Sequence, residues 1–232
     1  MLGGLWADLA DLALPTECAG CRQRSSRLRQ GVCPECVTVL RALRPGAVRP
    51  VPAPLGLPPC HALGSYAGPL RETLLAYKDH GRHGLARPLG ALLAEVVAAA
   101  VGSVRPLVLV PVPDTPAAAR ARYGDHLGRL ARHCARRLGA AGWPVRVQRP
   151  VQARSRPDSV TLDSAGRAAT ALGAFRVRPG VGPTPPGVTV VLLDDIITTG
   201  STLAAISQLL RVPGMSPSVA AVLAATEKRH KR

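Results

Sequence analysis

Val188-Thr-Val-Val-Leu-Leu-Asp-Asp-Ile-Ile-Thr-Thr-Gly-Ser-Thr202 is the stretch on which the reading of this chain turns. Its first half is almost wholly apolar and β-branched, the pattern of a strand buried on both faces in a parallel sheet. Such a strand delivers Asp194 and Asp195 to its carboxyl end, where open α/β sheets bind their ligands. Small hydroxyl residues then surround Gly200, and an apolar periodic segment, Ser201 to Leu210, follows as a helix. A turn of this kind lets the backbone N–H groups of Thr198, Thr199, Gly200, Ser201 and Thr202 converge on an anion at a helix N-terminus. The Thr and Ser hydroxyls add donors, and Gly200 removes the Cβ that would obstruct close approach. A phosphate-binding Walker loop would need Gly-Lys-Ser/Thr, and a dinucleotide fingerprint three glycines; neither is present. The plainer alternative is a core strand whose acids only favour the next helix N-terminus, but it leaves the hydroxyl run without a purpose.

Outward from this stretch the pattern alternates. Pro69 to Asp79 and Leu85 to Val101 have helical spacing, separated at Gly81 and Gly84. Leu107 to Val112 reads as a buried strand, Pro116 to Ala141 as a long helix capped by Asp114-Thr115, and Val219 to Leu223 as a final strand. Val145 to Gln148 and Phe175 to Val177 are further strand candidates. Strands alternating with helices predict an α/β fold, a parallel sheet with helices on both faces.

The N-terminal part differs in kind. Cys18-Ala-Gly-Cys21 and Cys33-Pro-Glu-Cys36, with eleven residues between the pairs, fit a four-thiolate tetrahedral Zn²⁺ site of structural type. Disulfides are the alternative. The expected organisation is an N-terminal helix and zinc-ribbon-like module over residues 1–44, a Pro-rich linker over 45–59, the α/β domain over 60–226 and a basic tail over 227–232. Cys60 and Cys134 read as small core hydrophobes. His126 and His133, seven apart on the long helix, read as part of a surface face.

Of the 232 residues 47% are apolar but only 3% aromatic, so the core is built from Leu, Val and Ala. The formal charge of +16 implies attraction to polyanions, although an Arg-rich compositional bias produces the same number. Lys228-Arg-His-Lys-Arg232 is a true basic cluster. No apolar run reaches the roughly 18 residues that cross a bilayer, and Glu95 interrupts the best stretch, so no membrane insertion is expected. Asp8 and Asp11 break the N-terminal apolar segment, which reads as an amphipathic helix rather than a secretion signal. A cytoplasmic protein is expected.

Carboxylates do not bind phosphate, but they accept hydrogen bonds from vicinal hydroxyls and can order hydrated Mg²⁺. A ligand with hydroxyls and a phosphate one sugar-length apart satisfies both halves of the motif, and ribose 5-phosphate is such a ligand. At this point the segment Leu193 to Thr202 resembles the 5-phosphoribosyl-1-pyrophosphate (PRPP) motif of type I phosphoribosyltransferases. Further landmarks resemble the ComF family of competence-type phosphoribosyltransferase-like proteins. They are the Cys pairs, Tyr66-Ala-Gly-Pro-Leu-Arg71, Tyr77-Lys-Asp-His-Gly-Arg82, Leu85-Ala-Arg-Pro-Leu89 and Val110-Pro-Val-Pro113.

The resemblance implies a type I phosphoribosyltransferase-like sheet and PRPP bound with Mg²⁺. Asp194 and Asp195 would hold the ribose hydroxyls and act in catalysis, with Thr198 to Thr202 on the 5-phosphate. The turn after Pro113 would lie near the pyrophosphate, with Lys78, Arg82, Arg122 and Arg167 as candidate pyrophosphate or loop contacts. The chain departs from the family pattern after Arg122, where Tyr123 precedes the glycine. It departs again along 159–170, where only Leu162 and Arg167 match. These departures favour binding over turnover. Three roles stay open: a Mg²⁺-dependent transferase, a PRPP-sensing regulator without turnover, and a single-stranded-DNA-binding protein acting with other DNA-uptake proteins.

Overall fold

A computed structural model of the chain describes residues 16–25, 27–115, 119–120, 124–154 and 173–226. The N-terminal helix, Arg122, the 159–170 segment with Arg167, and the basic tail of the sequence reading lie outside the described residues.

The apolar run around Val190 is the centre of the architecture. Strand β9 (Thr189–Ile197) lies between β5 (Leu107–Pro111) and β10 (Val219–Ala225), parallel to both. A six-stranded sheet extends outward in the order β3-β4-β10-β9-β5-β6, with β4 at Cys60–Ser65 and β6 at Val145–Val147. All its pairings are parallel except that of β3 (Gly46–Val48), which runs antiparallel to β4. Val190 to Leu193 are all buried, because both faces are covered. On one face pack helices α2 (Gly68–Lys78), α3 (Ala86–Val101) and α4 (His126–Ala140); on the other packs α5 (Ser201–Arg211). The expected α/β class is therefore the observed one.

Each helix has a local cause. In α4, Leu127, Leu130, Ala131, Cys134 and Leu138 are buried at helical spacing, a single apolar stripe. Helix α3 crosses α4 closely: a Cβ on Gly90 would lie 2.5 Å from His133 Cβ and 3.1 Å from the Leu130 carbonyl oxygen. The helical stretch His83–Val101 has the length and mean hydropathy (1.6) of a membrane span, and half of it is buried inside the protein. Cys60 and Cys134 are buried as small apolar groups.

Two expectations are revised. The long helix over 116–141 is interrupted: Gly124 takes φ +119°, and α4 restarts at His126 with Asp125 as its cap, accepting from the Gly128 N–H at 2.7 Å. The segment read as a linker supplies β3, the edge strand of the main sheet. Beyond β3 the chain lies along α5, where the Gln208 amide donates to the Leu55 carbonyl at 2.7 Å. Short antiparallel pairs, β1 (Thr16–Glu17) with β2 (Arg24–Ser25) and β7 (Val151–Ala153) with β8 (Phe175–Val177), complete the strands among the described residues. Helix α1 (Pro34–Ala42) carries Cys36, and Cys18, Cys33 and Cys36 share one core cluster with α2, α3 and α4.

Candidate ligand-binding site

The loop after β9 has the shape its residues require. Gly200 sits at φ +75°, ψ 3°, as the first residue before α5, and the Ala204 N–H donates to its carbonyl at 2.9 Å. A Cβ there would come within 3.0 Å of Leu57 Cδ2 and 3.4 Å of Pro50 Cγ, so glycine is demanded by conformation and by space. Thr198 and Thr199 are exposed, and the Thr199 and Ser201 hydroxyls lie 3.0 Å apart. The first N–H groups of α5, including those of Ser201 and Thr202, have no partner within the helix, as in any helix. The structure thus brings Thr198 to Thr202 together at one helix N-terminus, beside the ends of three parallel strands.

The two acids are not equivalent. Alternation along β9 sends them to opposite faces. Asp195 is buried, and its Oδ2 lies 2.7 Å from Lys78 Nζ and 3.2 Å from His126 Nε2. Burial alone would raise the Asp195 carboxyl, but hydrogen bonds and charge from His126 and Lys78 outweigh it and hold the group below the usual carboxylate range. Asp194 is only half-buried and accepts the Asp195 N–H at 2.9 Å. Desolvation, and then the charge of Asp195, push its pKa well above the ordinary value.

His126 is the residue that sequence reasoning placed wrongly. It is 4% exposed, not part of a surface face, and its Nδ1 lies 2.7 Å from Asp114 Oδ2. That separation is an ion pair, lying off the line of a well-aligned hydrogen bond. Burial disfavours the imidazolium, yet Asp114 and Asp195 together overcome it and raise the pKa to about 9. The Tyr77 hydroxyl donates to the His126 carbonyl at 2.6 Å, which pins α4 to α2. Helix α2, the turn after β5, α4 and β9 therefore meet in one polar knot. Asp114 directly follows Val110-Pro-Val-Pro113 and Tyr77 precedes Lys78, so both signals were in the sequence; the pairing was not.

Of the basic residues expected near a pyrophosphate, Lys78 reaches Asp195. Arg82 goes elsewhere: its guanidinium donates to the carbonyls of Glu17 at 2.7 Å and Gly31 at 3.1 Å. The turn after Pro113 borders a cavity of about 260 Å³ whose lining includes Asp114, Asp125, Arg149 and Arg178. Arg149 is ion-paired to Asp125.

The four cysteines of the doubled pair come together, with their Sγ atoms all within 4.8 Å of one another. The Gly20 and Cys33 N–H groups donate to Cys18 Sγ at 3.3 and 3.2 Å, the arrangement that supports a thiolate ligand. Against burial, these backbone donors lower the Cys18 pKa to about 7. Four soft donors at this spacing fit a tetrahedral metal ion, and no disulfide joins the described cysteines.

No protein-family model matches the chain, and no curated protein matches it. Among solved structures, a hypoxanthine phosphoribosyltransferase from Trypanosoma cruzi, a ternary substrates complex, aligns at 19% identity. The alignment covers 63% of this chain and 70% of that one, with a TM-score of 0.36. A hypoxanthine phosphoribosyltransferase from Staphylococcus aureus aligns at 16% identity over 67% and 68% of the two chains, again with a TM-score of 0.36. Likeness at this level is too distant to bear on substrate or mechanism. The architecture stands on its own sheet order, and the site on its own geometry.

Proposed function

We propose that this chain is a PRPP-binding protein of phosphoribosyltransferase fold and ComF type, acting in DNA uptake or nucleotide metabolism in the cytoplasm. One observation carries the reading: a glycine-centred turn exposes Thr198 and Thr199 at a helix N-terminus, directly after two acids on the central strand. The turn takes the 5-phosphate, and Asp194, the more accessible acid, faces the ribose hydroxyls. Asp194 and Asp195 would hold a Mg²⁺ bound together with the ligand, and that ion would supply charge neutralisation for the pyrophosphate. Zn²⁺ is held by Cys18, Cys21, Cys33 and Cys36 as a structural ion.

A second reading, a PRPP sensor with little turnover, draws on the Lys78–Asp195 ion pair. Two groups assigned to ligand contact neutralise one another, so binding has to compete with an existing bond. Single-stranded DNA as a partner rests on the +16 charge.

The test is calorimetric titration of PRPP with Mg²⁺ into the zinc-loaded protein and into Thr198→Ala/Thr199→Ala. Both residues are exposed, so the variant keeps its fold. Affinity is expected to fall about tenfold or more, the loss of hydrogen bonds to a charged group. A wild-type protein that takes up no PRPP, or a variant that binds it equally well, would overturn the proposal. Pyrophosphate release in the presence of acceptors then separates enzyme from sensor.

A further inference from the structure

Arg82 joins the cysteine cluster to the candidate ligand site. Glu17, whose carbonyl takes one arm of its guanidinium, directly precedes Cys18, and Gly31, whose carbonyl takes the other, lies two residues before Cys33. The Gly31 carbonyl also accepts the Ala19 N–H at 3.0 Å, which ties the two Cys pairs to each other. A guanidinium is a flat, rigid fork. It reaches both carbonyls only while the two pairs stay closed on one another, and closing them is what a shared metal ion does. Gly31 has φ +80°, and a Cβ on it would lie 2.7 Å from Arg82 Nη2, so the close seat of the fork requires glycine.

The main chain of Arg82 acts on the other side. Its N–H donates to the Ala76 carbonyl at 3.1 Å, in the last turn of α2, and that turn carries Tyr77 and Lys78. Tyr77 holds α4 through the His126 carbonyl, and Lys78 sets its cation against Asp195. Arg82 thus spans from the Cys pairs to the helix end that faces the buried acid. Two other contacts of the cysteine module fall on the front half of α2: a Cβ on Gly20 would touch Pro69, and Arg22 is ion-paired with Glu72 at 2.6 Å. A cavity of about 500 Å³, lined by Glu17, Cys18, Ala76 and Arg82 among others, opens at this junction. Without its two carbonyls the guanidinium has room there to swing aside, and the end of α2 loses its tether.

Resting on the PRPP reading of the loop and the zinc reading of the cluster, we infer that metal occupancy at the four cysteines sets the affinity of the anion site, with Arg82 as the positioning residue that couples the two. The sign follows from charge. Asp194 and Asp195 stand where a highly anionic ligand approaches, and Lys78 offsets the second of them. With the metal bound, Arg82 keeps the end of α2 seated and the Lys78 cation in place, so the anion meets a less negative pocket. With the metal withdrawn, the cation is no longer fixed and the acids repel the ligand. Coupling of this kind is reciprocal: PRPP tightens the hold on the metal by the same factor by which the metal tightens PRPP.

The Zn²⁺ affinity of the full chain is measured by competition with a chromophoric chelator, with and without Mg²⁺–PRPP, on wild type, Arg82→Gln and Arg22→Gln. In the wild type PRPP is expected to tighten Zn²⁺ by about fivefold or more, the lower end of ordinary site-to-site coupling. In Arg82→Gln both ligands still bind but the effect of one on the other disappears, because the shorter carboxamide does not reach the two carbonyls. Arg22→Gln removes an exposed ion pair at the front of α2 and keeps the wild-type coupling. A wild type whose Zn²⁺ affinity ignores PRPP, which needs no variant to fold, overturns the inference. So does coupling that survives in Arg82→Gln, the result expected if PRPP only stabilises the whole fold or draws off metal itself, and so does an equal loss in Arg22→Gln. Calorimetry of PRPP into the zinc-loaded wild type, run first, separates the two levels. No PRPP binding sinks the functional reading and the coupling with it. PRPP binding without an effect on Zn²⁺, or by a chain that takes up no Zn²⁺, sinks the coupling alone.

Discussion

Lys78 at the end of α2 and Asp195 on β9, remote in sequence, form an ion pair at 2.7 Å with the acid almost wholly buried. Removing one partner of such a pair leaves a charge without compensation in a poorly solvated place. Lys78→Met is expected to lower the unfolding free energy by about 2–4 kcal/mol, toward the lower part of the range for buried pairs because Lys78 keeps some solvent contact. Urea denaturation measures it. Lys78→Met/Asp195→Asn is expected to recover part of the loss, and a double variant less stable than the single would contradict the pairing.

His126 gives the protein a pH dependence on the alkaline side. Its folded pKa of about 9 stands above the ordinary histidine value of 6.5. The imidazolium therefore contributes fully below about pH 6.5, and the contribution is lost as pH rises through about 9. The loss should be roughly 3 kcal/mol, since each tenfold gain in proton affinity on folding is worth about 1.4 kcal/mol. Asp195 acts in the opposite sense: its lowered pKa contributes above the ordinary carboxylate value and is lost as pH falls below it. Thermal melts from pH 6 to pH 10 on the wild type and His126→Gln test the histidine; a variant with the same alkaline slope would assign it elsewhere.

Gly200→Ala puts a Cβ into a left-handed turn and against Leu57. The conformational cost is about 1–2 kcal/mol, and the contact adds to it. The expected result is a protein that still folds but binds PRPP at least about tenfold more weakly, because the N–H groups no longer point at one anion. Calorimetry and a urea curve on the same preparation separate the two effects.

Metal at the cysteine cluster should be visible in stability. A chelator is expected to lower the melting temperature by several degrees or more, since ligand binding to a site absent from the unfolded chain adds directly to folding free energy. Cys36→Ser should behave like the chelated protein. A preparation with no bound metal and the same melt in chelator would reduce the cluster to four packed thiols.

What could be read from the sequence was local. The β9 run, its two acids and the hydroxyl turn lie within fifteen residues, and each declares its role by type and spacing. The doubled Cys pair was equally legible. What escaped was non-local. His126 and Asp195 are 69 residues apart, and nothing in the helical spacing of His126 and His133 says which of the two is buried. Arg82 was expected at the ligand, but its acceptors are the backbone carbonyls of Glu17 and Gly31, which every residue carries and no sequence displays. Strand β3 was hidden because its flanking prolines suggest a linker, although prolines are tolerated around an edge strand. The break at Gly124 depends on a positive φ that a single glycine permits without announcing.

The antiparallel pairing of β3 with β4, and the cysteines that share a core with α2, bear on how this protein could be dissected or could have been assembled. A fragment beginning at Cys60 would expose the bare backbone of β4 and the apolar side of α2, an invitation to sticky, edge-to-edge association. It would also lose the wall that Leu57 and Pro50 build against Gly200. The N-terminal quarter is therefore not a detachable cassette: transplanted, trimmed or fused at residue 60, the remainder should lose both solubility and its grip on an anion.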